Sequence, residues 1–153
     1  MMRVELSREY PIPLKQGYDY MTDPLLFPVW RTGMIEILDP EHAAWNQAGD
    51  GIRFAYRLLG RRVEGEAILD EARDAELIRF TGTVPGIPKV HETWHYRATG
   101  EDSFEVRTVQ ETEEATSLFG KAIDRTLFPR AIERDLRRAF DNLEEIFSMG
   151  VPD

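Results

Sequence analysis

The last part of the chain contains its one long amphipathic pattern, and almost everything before it reads as strand. Ile132, Leu136, Ala139/Phe140, Leu143 and Ile146/Phe147 recur every three or four residues, with Glu133, Arg134, Arg137, Arg138, Asp141, Glu144 and Glu145 on the opposite side. That period is helical. Pro129 either starts the helix or kinks one that begins near Leu118, and Gly150 ends it. A single apolar stripe must therefore cover one face of the sheet that the preceding residues form.

Those residues alternate with period two. Val4 to Tyr10 is a first strand, closed by Pro11-Ile12-Pro13. Pro13 can open a short helix through Met21, with Tyr18, Met21 and Leu14 on its apolar side. Asp23 suits an N-cap and Pro24 the first position of a second short helix that stops before Trp30. Met34 to Leu38 is a strand, and Asp39 to Asp50 is a polar loop. Ile52 to Leu59 and Val63 to Leu69 form a hairpin about Gly60-Arg61, read as a type II′ turn. That register sets Arg57 against Glu64, Phe54 against Ala67 and Tyr56 against Gly65. Leu77 to Val84 follows, then the loop Pro85-Gly86-Ile87-Pro88. Val90 to Ala98 and Phe104 to Thr112 form the last hairpin across Gly100-Glu101-Asp102. It sets Trp94 against Thr108, Tyr96 against Val106, Glu92 against Gln110, Arg97 against Glu105 and His91 against Glu111. The order is strand, two short helices, six strands, long helix. This predicts one α+β domain over residues 1–153, a seven-stranded curved antiparallel sheet wrapped around its C-terminal helix. A cone-shaped fold with its helices first would end on strands, which this chain does not.

Composition removes several functions. With 153 residues and 42% hydrophobic residues the chain can bury a core. The formal net charge of −9 argues against nucleic acid and anionic membrane surfaces. No cysteine is present, so disulfides and thiolate chemistry are excluded. Met1-Met2-Arg3-Val4-Glu5 does not begin a signal peptide, and no run is long enough to insert in a membrane, so a cytoplasmic location is the default expectation.

Val4-Glu5-Leu6-Ser7-Arg8-Glu9-Tyr10-Pro11-Ile12-Pro13, then Asp23-Pro24 and Pro28-Val29-Trp30, resembles the opening of the polyketide cyclase/dehydrase family. That family belongs to the START-like, helix-grip superfamily, which includes the birch pollen allergen. Leu118-Phe119-Gly120 through Asp124-Arg125, Asp135-Leu136 and Asn142-Leu143-Glu144 are similar to its C-terminal helix. Tyr18-Asp19-Tyr20 departs from it, where relatives carry small aliphatic residues. The resemblance implies the helix-grip fold and a cavity between sheet and helix. Members bind lipids, sterols, polyketides or plant hormones, and some are enzymes.

Strand phase turns Phe54, Tyr56, Phe80, Trp94 and Tyr96 inward, where they read as a cavity wall or a filled core. The resemblance adds Trp30, and the helical stripe adds Leu136. Glu92 shares the inward phase, with Thr108 and Gln110 opposite as polar partners. It is the candidate for a general base or a ligand acceptor, unless it sits wet and idle at the strand's end. His91 and His95 lie roughly 13 Å apart on a strand, too far for one ion, and on the outer face. His42 has no partner pattern. Ala48-Gly49-Asp50-Gly51 lacks the Lys and helix of a phosphate loop. Ser7, Ser103, Ser117 and Ser148 have no neighbouring base. No metal or cofactor is expected. Three functions remain: a carrier or sensor of an apolar small molecule, a polyketide cyclase, aromatase or dehydratase using Glu92 or Tyr56, and an interaction module with a filled interior. The oligomeric state is open, a homodimer included.

Overall fold

A computed structural model describes residues 2–113, 117–118, 121–122 and 127–151. Its strands are β1 (Met2–Tyr10), β2 (Met34–Leu38), β3 (Gly51–Leu58), β4 (Arg61–Arg73), β5 (Leu77–Thr83), β6 (Val90–Gly100) and β7 (Ser103–Thr112). They form one antiparallel sheet in the order β1-β7-β6-β5-β4-β3-β2. Helices α1 (Leu14–Met21) and α2 (Phe27–Trp30) follow β1, and α3 (Leu127–Ser148) closes the chain. This is the helix-grip arrangement. Three bulges interrupt the ladders, at Met34/Glu36, Leu69/Glu71 and Ala98/Gly100. Each bends its strand and adds twist, which gives the sheet the curl that one helix requires.

Local chemistry explains the element ends. Asp23 Oδ1 accepts from the Leu25 N–H at 3.0 Å, so it caps a 3-10 turn over Pro24–Leu26 rather than a full helix. The α-helix that follows runs through Trp30 instead of stopping before it. Ser117–Leu118 (β8) pairs with Lys121–Ala122 (β9) as a separate ribbon. The last helix therefore begins at Leu127, not near Leu118, and Pro129 sits in its first turn, where no i−4 hydrogen bond is lost. The other residues of the 118–125 segment that resembled the family helix lie outside the described residues.

The β6–β7 register matches every predicted pair. The β3–β4 register is displaced by two residues. Tyr56 faces Val63, Phe54 faces Gly65, Arg57 faces Arg62 and Arg53 faces Glu66. The turn is Leu59-Gly60, with φ of 49° and 77°. Two positive φ values mark a type I′ geometry, whose twist matches the strands, and glycine at the second centre makes it accessible. A two-residue displacement preserves strand phase, so Ile52, Phe54 and Tyr56 keep their face. The size match survives in a new pair. A Cβ on Gly65 would lie 2.7 Å from the Thr83 carbonyl oxygen and 3.0 Å from the Phe54 ring.

Helix α3 is seated mainly by its stripe. Leu136, Ala139, Phe140, Leu143 and Phe147 are buried. Each large apolar side chain contributes about 1.5–3 kcal/mol when fully buried. The Tyr10 hydroxyl donates to the Phe140 carbonyl at 2.7 Å, which fixes the helix against β1. Arg8 reaches Asp141 at 3.0 Å and Glu144 at 3.1 Å, but both acids are exposed. Such pairs add about 0–1 kcal/mol, so they orient more than they hold.

Gly65→Ala should destabilise the protein by about 1–3 kcal/mol, because a backbone oxygen cannot yield as a side chain would. Urea unfolding monitored by circular dichroism measures the loss, and an unchanged midpoint would contradict this packing.

Candidate functional site

The inner face of the sheet collects aromatic rings from every layer. Trp94 on β6 meets Trp30 at 5.7 Å and Phe140 at 5.9 Å between centroids. Phe80 on β5 meets Trp45 at 5.1 Å, and Tyr96 meets Tyr18 at 4.9 Å. Ring packing therefore fills the inner face at Phe80, Trp94 and Tyr96. Phe54 and Tyr56 contact each other at 6.4 Å. Tyr56 is only partly buried, as are Met34 across the ladder and Val84 beside Gly65. Leu136 is buried beneath α3. Hollows open on the outer surface along α3, between Arg130 and Asp141, and beside Leu38, His42 and Ile68.

A polar cluster lies inside this aromatic frame. Glu92 Oε1 accepts from Trp94 Nε1 at 2.9 Å, Gln110 Nε2 at 3.0 Å and an Arg31 terminal nitrogen at 3.2 Å. The Glu92 and Arg31 side chains are 14% and 15% exposed, so the pair is largely withdrawn from water. Four rings surround the guanidinium carbon: Trp30 at 4.8 Å, Phe27 at 4.9 Å, Trp94 at 5.2 Å and Phe80 at 5.3 Å. An arginine tolerates such a frame because its planar cation is weakly hydrated and stacks on aromatic faces.

Arg31 follows α2, and three contacts hold its loop in place. Asn142 donates to the Trp30 carbonyl at 3.2 Å, and the Thr32 hydroxyl donates to the Asp135 carbonyl at 2.9 Å. The Arg57 N–H donates to the Gly33 carbonyl at 2.8 Å. Gly33 has a φ of 90°, and a Cβ there would lie 2.8 Å from the Tyr56 ring. Only glycine permits both the turn and the ring lying on the backbone. Burial, then the carboxylates of Asp135 and Glu92, push the Tyr56 hydroxyl up to about 12, with Arg31 opposing. Tyr56 therefore keeps its proton near neutrality and can donate but not act as a base.

Among the described residues, three buried polar atoms have no hydrogen-bond partner: Arg31 Nε, Trp30 Nε1 and Thr108 Oγ1. Thr108 is 0% exposed and lies across the ladder from Trp94. Buried polar groups are normally satisfied, so three in one region single it out as the candidate site.

The predicted neighbours Glu92, Trp94, Thr108 and Gln110 are thus brought together, and Trp30 joins them from α2. Arg31 was not among the sequence candidates. It sits in an aperiodic loop 61 positions from Glu92, and only the fold joins them. Trp45 was also missed; a lone tryptophan in the polar loop Asp39 to Asp50 was its only signal, and it is 4% exposed. His91 lies on the exposed face, bonded to Thr81 at 3.0 Å. Among the described residues no three acidic or histidine side chains converge as metal ligands. No helix among them is long and apolar enough to cross a membrane.

This architecture matches known proteins. The family model for polyketide cyclase/dehydrase and lipid transport covers residues 1–147, and the chain belongs to that family. No curated protein matches it. Among solved structures, the Zhui aromatase/cyclase from Streptomyces sp. R1128 superposes with a TM-score of 0.80 at 13% identity, covering 99% of this chain and 96% of that one. A START superfamily protein from Mycobacterium smegmatis gives 0.78 at 11% identity, covering 96% and 97%. Protein CV1439 from Chromobacterium violaceum gives 0.72 at 18% identity over the whole of both chains. At these identities the likeness is one of fold.

Thr108→Val should stabilise the free protein by about 1 kcal/mol, since it removes a buried hydroxyl without changing shape. Thermal unfolding tests this, and a lower midpoint would show that the hydroxyl is already satisfied. The Tyr56 shift gives a second expectation. A raised pKa in the folded state contributes stability that is complete below pH 10 and lost as pH rises through about 12. Tyr56→Phe should therefore flatten the decline in urea stability between pH 10 and 12; an unchanged slope would contradict the buried environment.

Proposed function

We propose that the chain binds a hydrophobic or aromatic small molecule against the inner face of its sheet, under α3, and acts as a cytoplasmic carrier or sensor. The observation that carries this reading is the set of unpartnered polar atoms, Arg31 Nε, Trp30 Nε1 and Thr108 Oγ1, within an aromatic frame. A site for such ligands is mostly apolar with a few polar groups that orient the guest. Phe54, Tyr56, Phe80, Trp94, Tyr96 and Leu136 supply the apolar side chains. Glu92, Gln110, Thr108 and Arg31 supply the polar corner. The family's description, which includes lipid transport, agrees with this reading.

The geometry of Glu92 suits holding a ligand. Three donors converge on Oε1 and fix the carboxylate in one orientation, while Oε2 takes none of the three. Tyr56 holds its own proton and is a hydrogen-bond donor rather than a base.

All three tryptophans, Trp30, Trp45 and Trp94, are buried on this face, so their fluorescence reports on it. Titration with neutral polycyclic aromatics and medium-chain alcohols should give saturable changes in emission at micromolar concentrations. Spectra that stay unchanged across both classes would count against a ligand site and favour a filled interior.

A further inference from the structure

We propose that two copies of this chain pair edge to edge through β1, antiparallel and with Leu6 on the two-fold axis, so that one sheet continues through both. The pairing does not depend on what the interior binds. β1 lies at one end of the sheet order and has a neighbour on one side only, β7. It is nine residues long, contains no proline or glycine, and its ladder runs from Met2↔Thr112 to Tyr10↔Phe104 without a bulge. Among the described residues, its backbone bonds to no other backbone than that of β7. Long, regular edges are templates for a further strand, and natural sheets blunt them by shortening, bulging or an inward charge. The opposite edge is blunted in this way: β2 has five residues and a bulge at Met34/Glu36. β1 is neither short nor bulged. Its one inward charge, Arg8, is held on α3 by Asp141 and Glu144, so it does not guard the edge.

The side chains select the register. A two-fold axis through a residue of β1 keeps the outer faces of both copies together. With the axis at Leu6 the whole strand overlaps, Arg3 faces the second copy's Glu9, and Glu5 faces its Ser7. Moving the axis to Glu5 sets that carboxylate against its own copy, and moving it to Ser7 sets Glu5 against Glu9. An axis at Val4 joins Arg3 to Glu5 but leaves Ser7 to Tyr10 unpaired. Full overlap is thus the register that joins opposite charges and opposes no like ones. Two features of the single chain fit it. In its own ladder Glu9 faces Glu105, whose cation is Arg97 at 3.4 Å. Among the described residues Glu9 takes only the Thr99 hydroxyl, at 3.1 Å, and the second copy's Arg3 brings the missing cation. On the inner face Met2, Val4 and Tyr10 are buried, whereas Leu6 is only partly so. At the axis it meets its own copy, which removes the apolar surface left exposed.

One strand edge is a small interface, so the dimer should dissociate with a constant of about 10–100 μM, measured by sedimentation equilibrium. Arg3→Glu sets two carboxylates opposite each other and Glu9→Arg two cations. Each should weaken association about tenfold, since a two-fold interface feels every change twice. The double variant Arg3→Glu with Glu9→Arg restores the pairing and should return the wild-type constant. Both positions are exposed, so circular dichroism should show the same fold throughout. The chain has no cysteine, so Leu6→Cys supplies a single reporter. Opposed residues lie about 4.5–5.5 Å apart between Cα atoms, within disulfide range. Leu6→Cys should therefore cross-link to a dimer under mild oxidation, and Ile68→Cys, exposed on β4, should not. If Leu6→Cys does not fold, the charge exchange decides alone. A wild-type chain that stays monomeric to about 1 mM would overturn the proposal. So would a dimer indifferent to both single variants, a double variant that fails to recover, or equal cross-linking at positions 6 and 68.

Discussion

One helix cannot cover the concave face of seven strands, and the rest of the structure answers that shortage. The stripe of α3 covers the side of the sheet nearest β1, where Phe140 and Phe147 meet Tyr10 and Phe104. The remaining inner surface is covered from elsewhere. Tyr18 of α1 reaches Tyr96, Trp30 of α2 reaches Trp94, and Trp45 of the long β2–β3 connection reaches Phe80. The two coverings meet at Trp94, which touches both Trp30 and Phe140. Arg31 and Glu92 sit at that seam.

A seam is where polar groups cost least and matter most. Either covering taken alone could be packed with apolar side chains, which is usually as stable as a buried ion pair or more so. Here a cation framed by four rings is joined to a carboxylate that gathers three donors on one oxygen. The loop that presents the cation is tied to α3 through Thr32 and Asn142 and to β3 through Gly33. So much positioning fits a constraint on geometry better than a contribution to stability. The unpartnered atoms beside the pair strengthen that view, since a stability-driven core would have lost them.

What could be read in the sequence follows what has a period. The β6–β7 register was legible because Arg97 faces Glu105 while Glu92 faces Gln110, so both faces agreed on one alignment. In the β3–β4 hairpin the outer face misled. Arg57 against Glu64 looked complementary, yet the backbone preferred a turn at Leu59-Gly60 and set Arg57 against Arg62. Arg62 finds its acid on β2, the strand beyond β3, pairing with Glu36 at 2.5 Å. Exposed charges have such alternatives, so they define register weakly, whereas the turn's backbone geometry defines it firmly. The inward phase of Glu92 was legible from alternation. Arg31 was not, because nothing within a few residues of it marks which distant strand its loop will reach.

The same contrast bears on how function is distributed in this fold. Structures that superpose on the chain with TM-scores of 0.72–0.80 share only 11–18% of its residues. Curvature, strand order and the helical stripe tolerate that divergence because each asks only for apolar residues at the right phase. A particular guest asks for more: a charge of one sign, at one depth, with its other partners already arranged. In this chain the ion pair withdrawn into the aromatic interior joins Arg31 in a connection to Glu92 at an inward strand position. A change confined to the Arg31 loop could therefore alter what the site prefers while leaving the period-two pattern, and with it the fold, untouched.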